Sequence, residues 1–259
     1  MSDPRAPAAA QLPLALRYPP DQRLDGFIGA SAGVLAQVES LADGRGHDWL
    51  YLAGASASGK THLALAACAA AAAVGRRGAY LPLQAAAGRM REALEALQDN
   101  DVIALDGLDA IAGRRDDEVA LFSFHNRARD AGTAVLYAAR MTPDALPLAL
   151  PDLRSRLSQC TRIMLAPLGD DGRREVLRLR ARRRGLSIDE AAIDWLLRRV
   201  DRDLSSLAAL LDRLDRASLA AQRRVTVPFL REVLGASATP GTPARRDPGP
   251  GSEPDPDSL

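Results

Sequence analysis

Residues 49–68 read Trp-Leu-Tyr-Leu-Ala-Gly-Ala-Ser-Ala-Ser-Gly-Lys-Thr-His-Leu-Ala-Leu-Ala-Ala-Cys. The first five form an apolar run of strand length, and the last eight form an alanine- and leucine-rich run of helical character. Between them Gly54, Ala55, Ser56, Ala57, Ser58, Gly59, Lys60 and Thr61 fit the pattern GxxxxGK[ST]. The glycines let the backbone curl with its N–H groups turned toward a phosphate, and the following helix adds its N-terminal dipole. In that reading Lys60 reaches the β- and γ-phosphates of a nucleotide and the Thr61 hydroxyl ligates Mg2+. His62 borders the loop and reads as a packing residue beside the ligand.

Composition sharpens this reading. The chain has 34 basic residues, of which Lys60 is the only lysine. Arginine and lysine exchange freely on solvated surfaces, but a compact ammonium facing phosphates is not replaced by a planar guanidinium. A lone lysine inside a phosphate-loop pattern is hard to read as filler.

Outward from the loop, short apolar runs occur at residues 79–81, 102–105, 134–138 and 163–165. Helical patterns lie between them at 62–74, 86–97, 117–130 and 150–157. Such alternation predicts an α/β domain with a parallel sheet covered by helices on both faces. The run VIALD places Asp106 at a strand tip, where a carboxylate can hold Mg2+ through water. Hydrolysis needs a further carboxylate to orient the attacking water. The next residue is Gly107, and Asp109 is expected to point elsewhere. Nucleotide binding is therefore expected and strong intrinsic hydrolysis is not.

After Pro167 the pattern turns wholly helical, with leucines at helical spacing in 170–184, 189–200, 204–222 and 228–234. The reading divides the chain into an extended arm (1–22), an α/β nucleotide-binding domain (23–166), a helical lid (167–235) and a disordered tail (236–259). The 34 basic and 33 acidic residues nearly cancel, so bulk charge points to no nucleic-acid partner. Seven arginines within 173–184 read as a solvated face, or as a contact with DNA or an acidic partner. His47, His62, His125, Cys68 and Cys160 lack metal-ligand spacing. No apolar stretch is long enough to span a bilayer, and the start does not read as a secretory signal. A reduced cytoplasmic setting is expected, with no membrane contact.

The strings GKTHL (59–63), LPDLRSRL (150–157), RARRRGL (180–186) and LDRASLAAQRRVTVPFLREVL (214–234) add a family signal. With the phosphate loop and strand-end Asp106, they resemble the AAA+ ATPases of the bacterial initiator DnaA group, and within it the Hda-type regulators. The resemblance covers roughly residues 11–235. It implies a P-loop AAA+ domain with a small helical lid, binding ADP or ATP with Mg2+, the adenine lying against residues 24–28. It further implies a homo-oligomer at the nucleoid or replisome that binds the DNA-loaded sliding clamp (the β subunit of DNA polymerase III). There it would stimulate ATP hydrolysis by DnaA and prevent re-initiation. Gln11, Leu12, Leu14 and Leu16 resemble a clamp-docking peptide, and Arg156 matches an arginine finger acting in trans, with Arg154 as the alternative. Three positions depart from the family pattern: Gly107, Ala138-Ala139-Arg140 where a polar sensor is expected, and about Ser205 (Arg202 lies three residues earlier) for the lid arginine. DnaA continues into a DNA-binding domain after its lid and this sequence does not, so DNA contact is expected to be indirect or weak. The alternative reading is an autonomous AAA+ ATPase, such as a helicase loader or DnaA-like remodeler.

Overall fold

The computed structural model describes residues 22–199, 214, 217 and 224–235. Five strands run parallel: β1 (Leu50–Ala53), β2 (Gly78–Pro82), β3 (Val102–Asp106), β4 (Ala134–Ala139) and β5 (Thr161–Met164). Their order across the sheet is β2-β3-β4-β1-β5. The inner strands are buried on both faces, which is why they read as unbroken apolar runs. Alternate residues split between two cores. Leu50, Leu52, Val102, Ala104, Leu136 and Ala138 pack against α1 (Ala32–Asp43) and α2 (Lys60–Ala73). On the opposite face, Tyr51, Ala53, Ile103, Leu105, Tyr137 and Ala139 meet α3 (Leu83–Ala86), α4 (Met90–Glu95), α5 (Arg115–Asp130) and α6 (Pro151–Ser158). The alanines of α2 let that helix lie close to the sheet, and the Cys68 thiol donates to Ala79 O at 3.3 Å.

Two features differ from the sequence reading. No element is expected between residues 29 and 48, yet α1 occupies 12 of them. Its signals are an N-cap at Ser31, whose Oγ accepts from Val34 N–H at 3.4 Å, and Gly44 in the left-handed region after its last turn. The single helix expected over 86–97 is instead α3 and α4, separated at Gly88. Gly88 has φ +82° and gives its N–H to both carboxylate oxygens of Asp117, so the chain turns there rather than continuing.

The remaining helices, α7 (Asp170–Arg183), α8 (Glu190–Arg199) and α9 (Val227–Gly235), share a third core around Leu177, Ile193, Leu196 and Leu230. Leu214 and Ala217 are helical and join that cluster. The rest of the expected 204–222 helix, Arg202 and Ser205, the arm with Gln11, Leu12, Leu14 and Leu16, and the 236–259 tail lie outside the described residues.

Candidate nucleotide-binding site

The loop after β1 turns into α2 through Ala57 (φ +61°) and Gly59 (φ +93°). Gly59 meets two demands, since its backbone is left-handed and a Cβ there would stand 2.7 Å from the Phe27 ring. Ala57 is the sole positive-φ residue other than glycine among the described residues, local strain of a kind that concentrates at functional loops. At the start of the loop Gly54 N–H donates to Ala139 O at 3.2 Å, which ties the loop to the tip of β4.

Lys60 folds back over this loop. Its Nζ donates to Gly54 O and Ala55 O at 2.7 Å each and to Ser58 Oγ at 3.3 Å. Partial burial lowers the Lys60 pKa; Asp106 and Asp109 oppose that shift, and Arg140 adds to it. Thr61 Oγ1 donates to Asp106 Oδ2 at 2.6 Å, bridging helix start and strand tip across 45 residues of sequence. The hydroxyl and carboxylate are hard oxygen donors side by side at the loop mouth, which is the donor chemistry Mg2+ takes. His62 Nε2 lies 3.0 Å from Arg23 O, and its ring meets Phe27 edge-on at 5.1 Å. It secures the 3-10 turn Leu24–Gly26 against α2, in line with the packing role read for it.

These groups line one cavity of about 650 Å3, a size suited to a nucleotide. One wall holds Gly26, Phe27 and Ile28, the segment expected to meet the adenine. The lid contributes Val176 and Arg180 of α7. Two findings correct or extend the sequence reading here. Asp109 does not point away: it lines the cavity, its carboxylate accepting from Arg140 N–H at 2.9 and 3.1 Å. Tyr80 also lines the cavity and donates its O–H to Asp106 Oδ2 at 3.0 Å, a contact the sequence pattern does not announce. Burial, together with the Asp106 charge, pushes the Tyr80 phenol above its ordinary pKa, so it stays a donor.

Arg154 and Arg156 lie two residues apart on α6 and differ in engagement. Arg154 donates to Leu148 O at 2.8 Å and is occupied in closing its own helix start. Among the described residues no hydrogen bond or ion pair engages the half-buried Arg156 guanidinium. The arginines of α7 are held by carboxylates within the chain. Arg174 meets Asp171 and Asp194, Arg178 meets Glu175 and Glu190, Arg182 meets Glu175, and Arg183 meets Asp25. Arg173 and Arg180 are buried, each 8 % exposed.

A parallel sheet in this order, a phosphate loop between β1 and α2, a carboxylate at the tip of β3 and a helical lid make up an AAA+-type P-loop fold. The structure of DnaA domain III from Thermotoga maritima aligns with TM-score 0.66 at 18% identity, over 86% of this chain and 99% of that one. AMPPCP-bound DnaA from Aquifex aeolicus aligns with TM-score 0.62 at 20% identity, over 78% and 67%. A DnaA bound to AMPPCP and single-stranded DNA aligns with TM-score 0.60 at 20% identity; the match spans 76% of this chain and 65% of that longer one. Residues 170–234 match the family model described as Hda, lid domain. That match bears out the Hda-type resemblance over the lid, where the strings at 180–186 and 214–234 lie.

Proposed function

We propose that this chain binds an adenine nucleotide with Mg2+ and, docked on the DNA-loaded sliding clamp, stimulates ATP hydrolysis by a DnaA-type initiator. The observation that carries the reading is an Hda-type lid (170–234) joined to a phosphate loop on a DnaA-like fold. At the site, Lys60 and the loop amides hold phosphates, while Thr61 and Asp106 hold the cation, which screens phosphate charge when bound. The nucleotide is ADP or ATP. Gly107 offers no side chain beside Asp106, consistent with weak turnover by the chain alone. Arg156, unlike Arg154, is available to neutralise charge on a γ-phosphate held by a neighbouring subunit. Gln11, Leu12, Leu14 and Leu16 would dock the arm on the clamp. The charge pairing of α7 supports an indirect contact with DNA. A homo-oligomer at the replisome completes the proposal.

A second reading, an autonomous AAA+ ATPase, gains one observation: Asp109 stands in the cavity, where a carboxylate could orient water. One experiment separates the two. Phosphate release is followed with clamp on DNA and ATP-bound DnaA, adding wild type, Arg156→Ala, or Gln11, Leu12 and Leu14 all replaced by alanine. A further arm omits DnaA. Wild type should stimulate strongly, the arm variant should not, and Arg156→Ala should lose about 10³-fold or more of the acceleration. Stimulation by Arg156→Ala equal to wild type would reduce Arg156 to a surface arginine. Turnover near about 10 per second without DnaA would establish the autonomous reading instead.

A further inference from the structure

The β2–β3 register pairs Tyr80 with Ala104 and Pro82 with Asp106, so Tyr80 is the diagonal neighbour of Asp106. Ala104 packs on the face of the sheet that α2 covers, and α2 carries Thr61 at its first turn. Three elements therefore converge on one carboxylate oxygen: Asp106 Oδ2 accepts from Thr61 Oγ1 at 2.6 Å and from Tyr80 O–H at 3.0 Å. A carboxylate torsion is otherwise broad and soft. A hydroxyl that coordinates a cation spends a lone pair on it and can reorient as the cation arrives, whereas the phenol sits on a strand and has no such duty.

We propose that Tyr80 is a positioning residue for the divalent cation that accompanies the nucleotide, its O–H fixing the Asp106 carboxylate in the orientation that receives the cation. The proposal rests on the reading of Asp106 as the carboxylate that holds that cation. Removing a hydrogen-bond partner of a metal-holding group lowers metal affinity by about 10–100-fold. Phenylalanine keeps the ring and its packing and removes only the donor.

The test is titration calorimetry of the full chain with ADP, in Mg2+ and in EDTA, for wild type, Tyr80→Phe and Asp106→Asn. Wild type should bind ADP more tightly with Mg2+. Tyr80→Phe should keep its EDTA affinity while losing about 10-fold of the Mg2+-dependent gain. Asp106→Asn should lose the gain entirely. If Asp106→Asn loses the gain and Tyr80→Phe retains it, Tyr80 has no positioning role and the reading of Asp106 stands. If both retain it, or wild type shows none, the reading of Asp106 falls and the proposal falls with it. Equal weakening of Tyr80→Phe in Mg2+ and in EDTA overturns the proposal too, leaving Tyr80 as cavity wall.

Discussion

His125 on α5 is 1 % exposed, wedged between Trp49 (ring centroids 4.5 Å apart) and Tyr137, whose oxygen lies 3.0 Å from its Nδ1. Among the described residues its buried Nε2 has no hydrogen-bond partner. Burial, then the Arg129 and Arg156 guanidinium groups, lower its pKa to about 4 from an ordinary 6.5. The folded state thus holds a neutral ring while the unfolded chain binds a proton below about pH 6.5. Stability is full above that value and falls as pH drops toward 4, by about 1–3 kcal/mol from this group. His125→Phe should flatten the dependence of the urea midpoint on pH between 7 and 4, and an unchanged slope would exclude His125 as its source. Residues of this kind are poorly legible in sequence, because what shifts them is three-dimensional neighbourhood. Lys60, Thr61 and Asp106 were legible because a phosphate loop fixes residue type at fixed spacing. Tyr80 and Asp109 were not, since their roles follow from strand register and from the Arg140 amide just past the end of β4.

At the level of elements, Glu118 is fully buried and accepts from three backbone N–H groups: Gly113 at 2.6 Å, Ala149 at 3.0 Å and Leu150 at 2.7 Å. Leu150 is the N-cap of α6 and Pro151 its first residue, so the carboxylate sets where that helix begins. Gly113 closes the loop that leaves β3 past Asp109. One side chain of α5 thereby joins the strand-tip loop to the helix that carries Arg154 and Arg156. Glu118→Gln turns an N–H against a backbone N–H and should cost about 2–3 kcal/mol in urea denaturation. A change within about 0.5 kcal/mol, the ordinary range for surface substitutions, would mean that water or a local shift replaces the clamp. Elements whose signal is periodic were readable, above all the inner strands. The α3–α4 break was not, because it depends on Asp117 capturing the Gly88 N–H from 29 residues away.

Across the whole molecule, the charge run in α7 was legible but its partners were not. They come from α7 itself, from α8 and from the turn at Asp25. Among the described residues, Arg174, Arg178, Arg182 and Arg183 of α7 thus find their countercharges within the chain. The loop amine is the exception in kind, the one lysine among arginines, clasped by two carbonyls and a hydroxyl at the floor of the cavity. Guanidinium groups resist acylation, so an amine-reactive ester has a single side-chain target in this protein, and its lowered pKa raises the share of reactive free base. Mass spectrometry of the intact protein should find one side-chain adduct beside the α-amine. Its formation should slow by at least about 10-fold when Mg2+ and ADP fill the site, as a charged contact of this strength implies. An adduct that forms equally fast with saturating ADP would mean that the ligand lies away from Lys60. The chain's arginine-rich composition thereby makes covalent labelling a direct reporter of whether its nucleotide site is filled.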